Sequence, residues 1–140
     1  MQQEPDADLI DQLIAGSPFI RFMGLELVSL DATIGEVAMK MPIRPEFERG
    51  GAMTGQFHGG PIAALIDTVG DFAVALLVRG AVPTINFRVD YLRPSTGPYL
   101  VARARVRRSG RTVAVVDVDI LDDHDRLTAV GRACYSAQTG

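Results

Sequence analysis

The stretch GQFHGGPIAALIDTVGDFAVALLV, Gly55 to Val78, decides how the rest of the chain is read. A Gly-Gly pair opens it, and Pro61 follows at a first-turn position, where a missing backbone N–H costs no hydrogen bond. From Pro61 to about Val78, Ile62, Leu65, Ile66, Val69, Phe72, Ala73, Leu76 and Leu77 cover most of a helical circumference. A helix apolar on nearly every side must be wrapped by other elements. Two aspartates, Asp67 and Asp71, stand inside it against propensity and desolvation, so each needs a partner, a water-filled cleft or a chemical role.

Outward from this helix, the chain reads as short helix, two strands, loop, central helix, four strands. Asp6 to Ala15 carries Leu9, Ile10, Leu13 and Ile14 at helical spacing and stops at Gly16 and Ser17-Pro18, which predicts a short amphipathic surface helix. Leu25 to Leu30 and Gly35 to Met41 alternate around DATIG as two strands and a turn. PIRPEFERGGAMTG is a Pro- and Gly-rich loop. After Arg79-Gly80 come strands at 84–92, 99–109, 112–121 and 126–137, separated by RPSTGP, SGR and DDHD turns. Such short connections predict an antiparallel meander. The fold class is therefore α+β: one long central helix on a curved antiparallel sheet of five or six strands, preceded by a short N-terminal helix.

Bulk properties bound the function. A chain of 140 residues is one domain by length, with enough surface to bury a core. A net charge of −3 gives no global attraction to nucleic acid, and no aromatic residues interleave with the arginines. The single cysteine, Cys134, builds neither an intrachain disulfide nor a cysteine-rich zinc site. The acidic N-terminus has no secretory pattern, and the apolar run Ile62 to Val78 is short for a membrane span, so the reading is cytoplasmic with no membrane partner. The DDHD run lacks the spacing and closing glutamate of an EF-hand loop and reads as a hairpin turn. With two histidines far apart, no metal is expected.

The candidate chemistry lies on the central helix. Gly59 and Gly60 either make a tight connection or let a ligand reach the N–H groups and positive dipole end of a helix, where developing negative charge is stabilised. Around Asp67, the small residues Ala63, Ala64 and Gly70 predict a crevice. Asp67 lies seven residues beyond Gly60, roughly 10 Å along the axis. One chain cannot easily present both groups to one carbonyl. Two antiparallel helices across a dimer interface would do so and would create two composite sites.

GQFHGGPIAALID resembles the G-x-x-H-G-G-x-x-x-x-L-x-D signature of PaaI-like hotdog-fold acyl-CoA thioesterases, and the order of elements resembles that fold over essentially the whole chain after the first helix. The resemblance implies a hotdog fold, hydrolysis of acyl-CoA without a cofactor, and homodimers, often paired into tetramers, that share active sites. It places the catalytic carboxylate, nucleophile or general base, on Asp67. The carbonyl-polarising amide falls on Gly59 or Gly60, the motif histidine on His58, and a water-positioning hydroxyl on Thr84. Many members carry Asn six residues before the histidine; here that residue is Ala52, so a polar contact is missing or comes from Gln56 or Thr54. Asp71 either raises the pKa of Asp67 by like-charge proximity or pairs with an arginine across the interface.

Arg103, Arg105 and Arg107 share one strand face and read first as a solvated outer surface. Arg88, Arg93 and the RRSGR turn, with Arg108, Gly110 and Arg111, are candidates to clamp the phosphates of coenzyme A, since guanidinium binds phosphate bidentately. Two alternatives stand beside hydrolysis: an enoyl-thioester hydratase or dehydratase of the same fold, and a non-catalytic acyl-CoA-binding module, which the alanine at position 52 favours.

Overall fold

A computed structural model describes residues 3–51 and 54–139; Ala52 lies outside the described residues. The central helix, α3 (Gly59–Val78), starts two residues before Pro61 and ends at Arg79, which adopts the left-handed conformation of a helix C-cap. Leu65, Ile66, Val69, Ala73 and Val74 are fully buried in it. By length and composition α3 could cross a membrane, but 56% of that window is buried inside the fold.

Six strands wrap it: β1 (Glu26–Asp31), β2 (Glu36–Pro42), β3 (Thr84–Tyr91), β4 (Tyr99–Ser109), β5 (Val113–Leu121) and β6 (Leu127–Ser136). Every pairing is antiparallel, and the order across the sheet is β1-β2-β4-β5-β6-β3. The helix packs chiefly against β4 and β5. Inward residues such as Ala102, Ala104, Val116, Val118, Ile120 and Ala133 are sealed beneath it. Helix on curved antiparallel sheet, with a short helix in front, is the α+β hotdog architecture expected.

The meander holds only for β4, β5 and β6. β3 pairs with β6, not with β4, and forms an outer edge. The physical reason is the helix: the chain leaves its C-terminal end at one side of the sheet, and residues 92–98 then cross to β4. That crossing is anchored by Leu92 and Arg93 N–H groups donating to the Thr128 carbonyl and by the buried Ser95 hydroxyl donating to Thr128 Oγ1 at 2.8 Å. β1, on the other edge, has an irregular register near Leu27 and Ser29.

The N-terminal region differs from the sequence expectation as well. α1 (Gln3–Ala15) begins earlier than Asp6, and the Ser17-Pro18 pair is a restart rather than a stop. Ser17 caps a second helix, α2 (Pro18–Met23), by accepting from the Ile20 N–H, with Pro18 at its first turn. Ile10 of α1 and Met23 of α2 reach the core.

On the outer face the arginines form an ion-pair ladder with acidic neighbours. Arg132 holds Asp117 by two hydrogen bonds of 2.6 and 2.9 Å, Arg107 reaches the same carboxylate, Arg105 pairs with Glu36, and Arg88 with Asp90. These exposed pairs are each worth little in water. At the DDHD turn the buried Asp122 accepts from the His124 and Arg126 backbone and from Arg126 Nε, so its oxygens are spent on the hairpin.

Tyr135 ties the sheet to the helix. Fully buried on β6, it donates its hydroxyl to the Asp67 main-chain carbonyl at 2.7 Å, and burial raises the phenol's pKa. A side chain on Gly70 would overlap that hydroxyl. Gly70→Ala is therefore expected to lower stability by about 1–3 kcal/mol, as overpacking of a filled core does. Chemical denaturation measures it; an unchanged midpoint would show that Tyr135 has room to retreat.

Candidate active site

Three backbone devices set the start of α3. Gly55 adopts positive φ, which glycine tolerates, and its N–H donates to Glu48 Oε1 at 2.7 Å. The loop then returns beside itself, with Arg49 N–H on the Gln56 carbonyl and His58 N–H on the Phe47 carbonyl. Phe57 N–H reaches the Ser95 carbonyl, tying the loop to the β3–β4 crossing. His58 therefore arrives in fixed register as the N-cap of the helix.

The cap separates the two glycines that the sequence left as alternatives. His58 Nδ1 accepts from the Gly60 N–H at 2.9 Å, which consumes that donor and leaves Nδ1 without its proton. Pro61 has no N–H. The Gly59 N–H finds no acceptor among the described residues, so it is the helix-start donor free for a ligand. The Gly59 carbonyl accepts from the Tyr91 hydroxyl at 2.8 Å, and a Cβ on Gly59 would press on that phenol at 3.1 Å. A cleft of about 390 Å³ opens here, and Gln56, Arg93 and Arg49 share its wall with Gly59 and Tyr91. Of the two substitutes considered for Ala52, Gln56 faces this cleft, whereas the Thr54 hydroxyl donates to the Arg49 carbonyl.

Asp67 sits elsewhere. It lines a cavity of about 440 Å³ between α1, α2 and α3, together with Ala64 and Asp71. Thr84, the first residue of β3, donates its hydroxyl to Asp67 Oδ1 at 2.7 Å. The expected crevice is thus real on the Ala64 side; on the Gly70 side it is filled by Tyr135. A smaller cavity of about 250 Å³ lies between the two, against Gly60 and Ala64, under Phe19, Phe22 and Phe47. Arg44 braces two of its walls: the guanidinium stacks 4.1 Å over the Phe22 ring, donates to the Phe22 carbonyl and pairs with Glu46.

Of the roles expected of Asp71, pairing with an arginine across an interface concerns a second chain; within this chain no arginine pairs with it among the described residues, and its own pKa is raised to about 7. Burial is the main cause, the Asp67 charge adds to it, and a 3.4 Å hydrogen bond from the Val82 N–H works against it.

The remaining candidates fall in different places. Arg93 joins Gly59 in the cleft, while Arg88, with its side chain 79% exposed, lies on the outer face of the sheet in the ion-pair ladder and away from both glycines. Arg108, Gly110 and Arg111 form the β4–β5 hairpin turn, at the same end of the sheet as Thr84: Val113 pairs with Ser136, and Ser136 N–H bonds the Pro83 carbonyl. The sequence reading missed Tyr91, Tyr135, Arg49 and the α2 residues. Nothing local distinguishes a site tyrosine from a core one, and α2 was hidden by reading Ser17-Pro18 as a break.

The chain was compared with known proteins. The Thioesterase superfamily model matches residues 54–129. A Halobacterium salinarum protein, provisionally named an esterase, is 34% identical over 92% of this chain and 90% of its own length. The Escherichia coli medium/long-chain acyl-CoA thioesterase YigI is 28% identical, with 84% of each chain covered. Among solved structures, a thioesterase from Haemophilus influenzae superposes with a TM-score of 0.78 at 27% identity, over 91% of this chain and 86% of that one. The Escherichia coli PaaI protein shares the fold, with a TM-score of 0.82 at 23% identity over 96% and 94%. The family model over residues 54–129 and a relative 34% identical over nearly the whole chain agree with the hotdog fold, and this chain is a hydrolase of the thioesterase superfamily.

Proposed function

We propose that the protein hydrolyses acyl-CoA thioesters at sites shared by two copies of the chain. One observation carries the reading: β3 is an exposed edge strand that holds Asp67 at its first residue, through Thr84, and Gly59 at its last, through Tyr91. Within one chain those ends are a strand's length apart. An antiparallel pairing of β3 with its copy sets Thr84 of one chain opposite Tyr91 of the other, and so brings Asp67 of one toward Gly59 of the other. Exposed apolar side chains on this strand, Ile85 at 54% and Phe87 at 38%, favour such a partner over water.

In the composite site the Gly59 N–H and the helix dipole hold the thioester oxygen as it gains negative charge. Asp67, oriented by the Thr84 hydroxyl, either removes a proton from water as that water attacks the carbonyl carbon or attacks the carbon itself. The C–S bond then breaks and the sulfur leaves as thiolate and takes a proton; water supplies the oxygen of the free acid, directly in the first case and by cleaving the acyl–Asp67 anhydride, which restores the carboxylate, in the second. Gln56 and Arg93 share the cleft with Gly59, which supports assigning the pantetheine arm and phosphates to them. The Arg108–Arg111 turn of the partner, at the Thr84 end, approaches the same region in this arrangement. Coenzyme A is carried as part of the substrate, and the chemistry calls on no further cofactor.

Asp67→Asn is expected to lower thiol release from acyl-CoA by about 100-fold or more, the scale of a lost general base, while the dimer stays folded. Full turnover in that variant would remove Asp67 from the mechanism. Asp71 makes a separate prediction about stability. In the folded chain it keeps its proton up to about pH 7, whereas a free aspartate releases it near 3.8. Between these values the folded state binds more protons than the unfolded state, so stability falls as pH rises through the window and levels off above it. Denaturation midpoints from pH 4 to 8 should show this decline in the wild type and a flatter profile in Asp71→Asn. Parallel profiles would show that Asp71 is not the titrating group.

A further inference from the structure

The cavity that holds Asp67 has a chemistry of its own. Leu13, Phe19, Ile20 and Phe72 give it apolar walls, and its described lining includes no lysine, arginine or histidine. Several of its polar groups are already committed: the Ser17 oxygen caps α2, the Thr68 hydroxyl is directed at Met23 Sδ, and one oxygen of the Asp67 carboxylate receives Thr84. Gln12, also in the lining, is exposed to solvent, whereas Asp71 is partly enclosed and weakly held. Its carboxyl has one long hydrogen bond, from Val82 N–H at 3.4 Å, among the described residues, and it lies one helical turn from Asp67, about 6 Å along the axis.

We infer that this cavity receives the acyl group and that Asp71 selects acyl groups bearing a hydroxyl about one helical turn from the thioester carbon. The inference rests on the hydrolase reading, in which Asp67 meets that carbon. A hydroxyl both donates and accepts, so it satisfies the Asp71 carboxyl with or without its proton, which near neutral pH is a mixture of both. An alkyl end of the same size would strip water from the carboxyl and return nothing. A carboxylate end would meet two acidic groups and no cation. The α2 helix, which supplies Phe19 and Ile20, fixes the depth of the chamber and hence the length of acyl chain it accepts.

The test compares kcat/KM for thiol release from 6-hydroxyhexanoyl-CoA and from heptanoyl-CoA, which has a methyl group in place of the hydroxyl. The wild type should favour the hydroxylated substrate by about 10-fold, below the larger discrimination of fully buried polar sites because Asp71 is only partly enclosed. Asp71→Asn, which still hydrogen-bonds, should keep the preference, and Asp71→Leu should abolish or reverse it. A wild-type ratio near one overturns the inference without recourse to any variant, as does an unchanged ratio in Asp71→Leu. Release from both substrates at equal rates sinks this inference alone; release from neither sinks the acyl-CoA reading on which it rests, and this inference with it.

Discussion

A helix of twenty residues that is apolar on nearly every side stays out of water only if something curls around it. The six-stranded sheet does this, and its order follows from the demand. β2, β4, β5 and β6 present small and branched side chains to the helix; Ala102, Ala104, Ala114, Val116 and Ala133 let it lie close, and the larger Leu100 and Ile120 sit together at one end of the sheet. The sheet cannot close on itself. What remains uncovered is one long strip of α3, bearing Gly60, Ala64, Asp67 and Asp71, which the short helices α1 and α2 only partly roof. Among the described residues, the cavities of about 440 and 250 Å³ lie along this strip, and the cleft of about 390 Å³ lies at its start.

The strip explains how aspartates persist in an otherwise apolar helix. Asp67 is half-buried and meets a hydroxyl; its main chain is held from the opposite side by Tyr135. Asp71, deeper and poorly partnered, keeps a proton into the neutral range. The two carboxyl groups, one turn apart, thus meet different surroundings: a hydroxyl for Asp67 and a largely apolar wall for Asp71. The glycines are divided in the same way. His58 consumes the Gly60 amide and Tyr91 the Gly59 carbonyl, while the Gly59 amide, at the edge of the cleft, has no acceptor among the described residues.

Most of the architecture was legible because its signals are local. The helix announced itself by periodicity, six strands by alternation and turn residues, and the separation of Asp67 from Gly60 by arithmetic on helical rise. What escaped was non-local. No pattern within β3 says that it pairs with β6 rather than β4, because strand order is set by where the helix ends. Ser17-Pro18 carries the same residues whether a helix stops or restarts, and only the docking of Met23 against the core decides between them. Gly70 looked like open space beside Asp67, and a tyrosine 65 positions later occupies it. Arg88 was grouped with Arg93 by proximity in sequence, yet alternation along the strand sends it to the outer face.

The central claim is that Asp67 and the Gly59 amide act together only across two chains. A mixed dimer tests it. One chain carries Asp67→Asn, and the other carries Gly59→Val, which crowds the Tyr91 phenol and blocks the approach to the amide. Each variant alone should be inactive as a homodimer, since both of its sites are broken. In the mixed dimer the intact Asp67 of one chain meets the intact Gly59 of the other, so one site of two is restored. The account predicts about half of wild-type thiol release from the purified mixed dimer; a mixed dimer as inactive as its parents would contradict it.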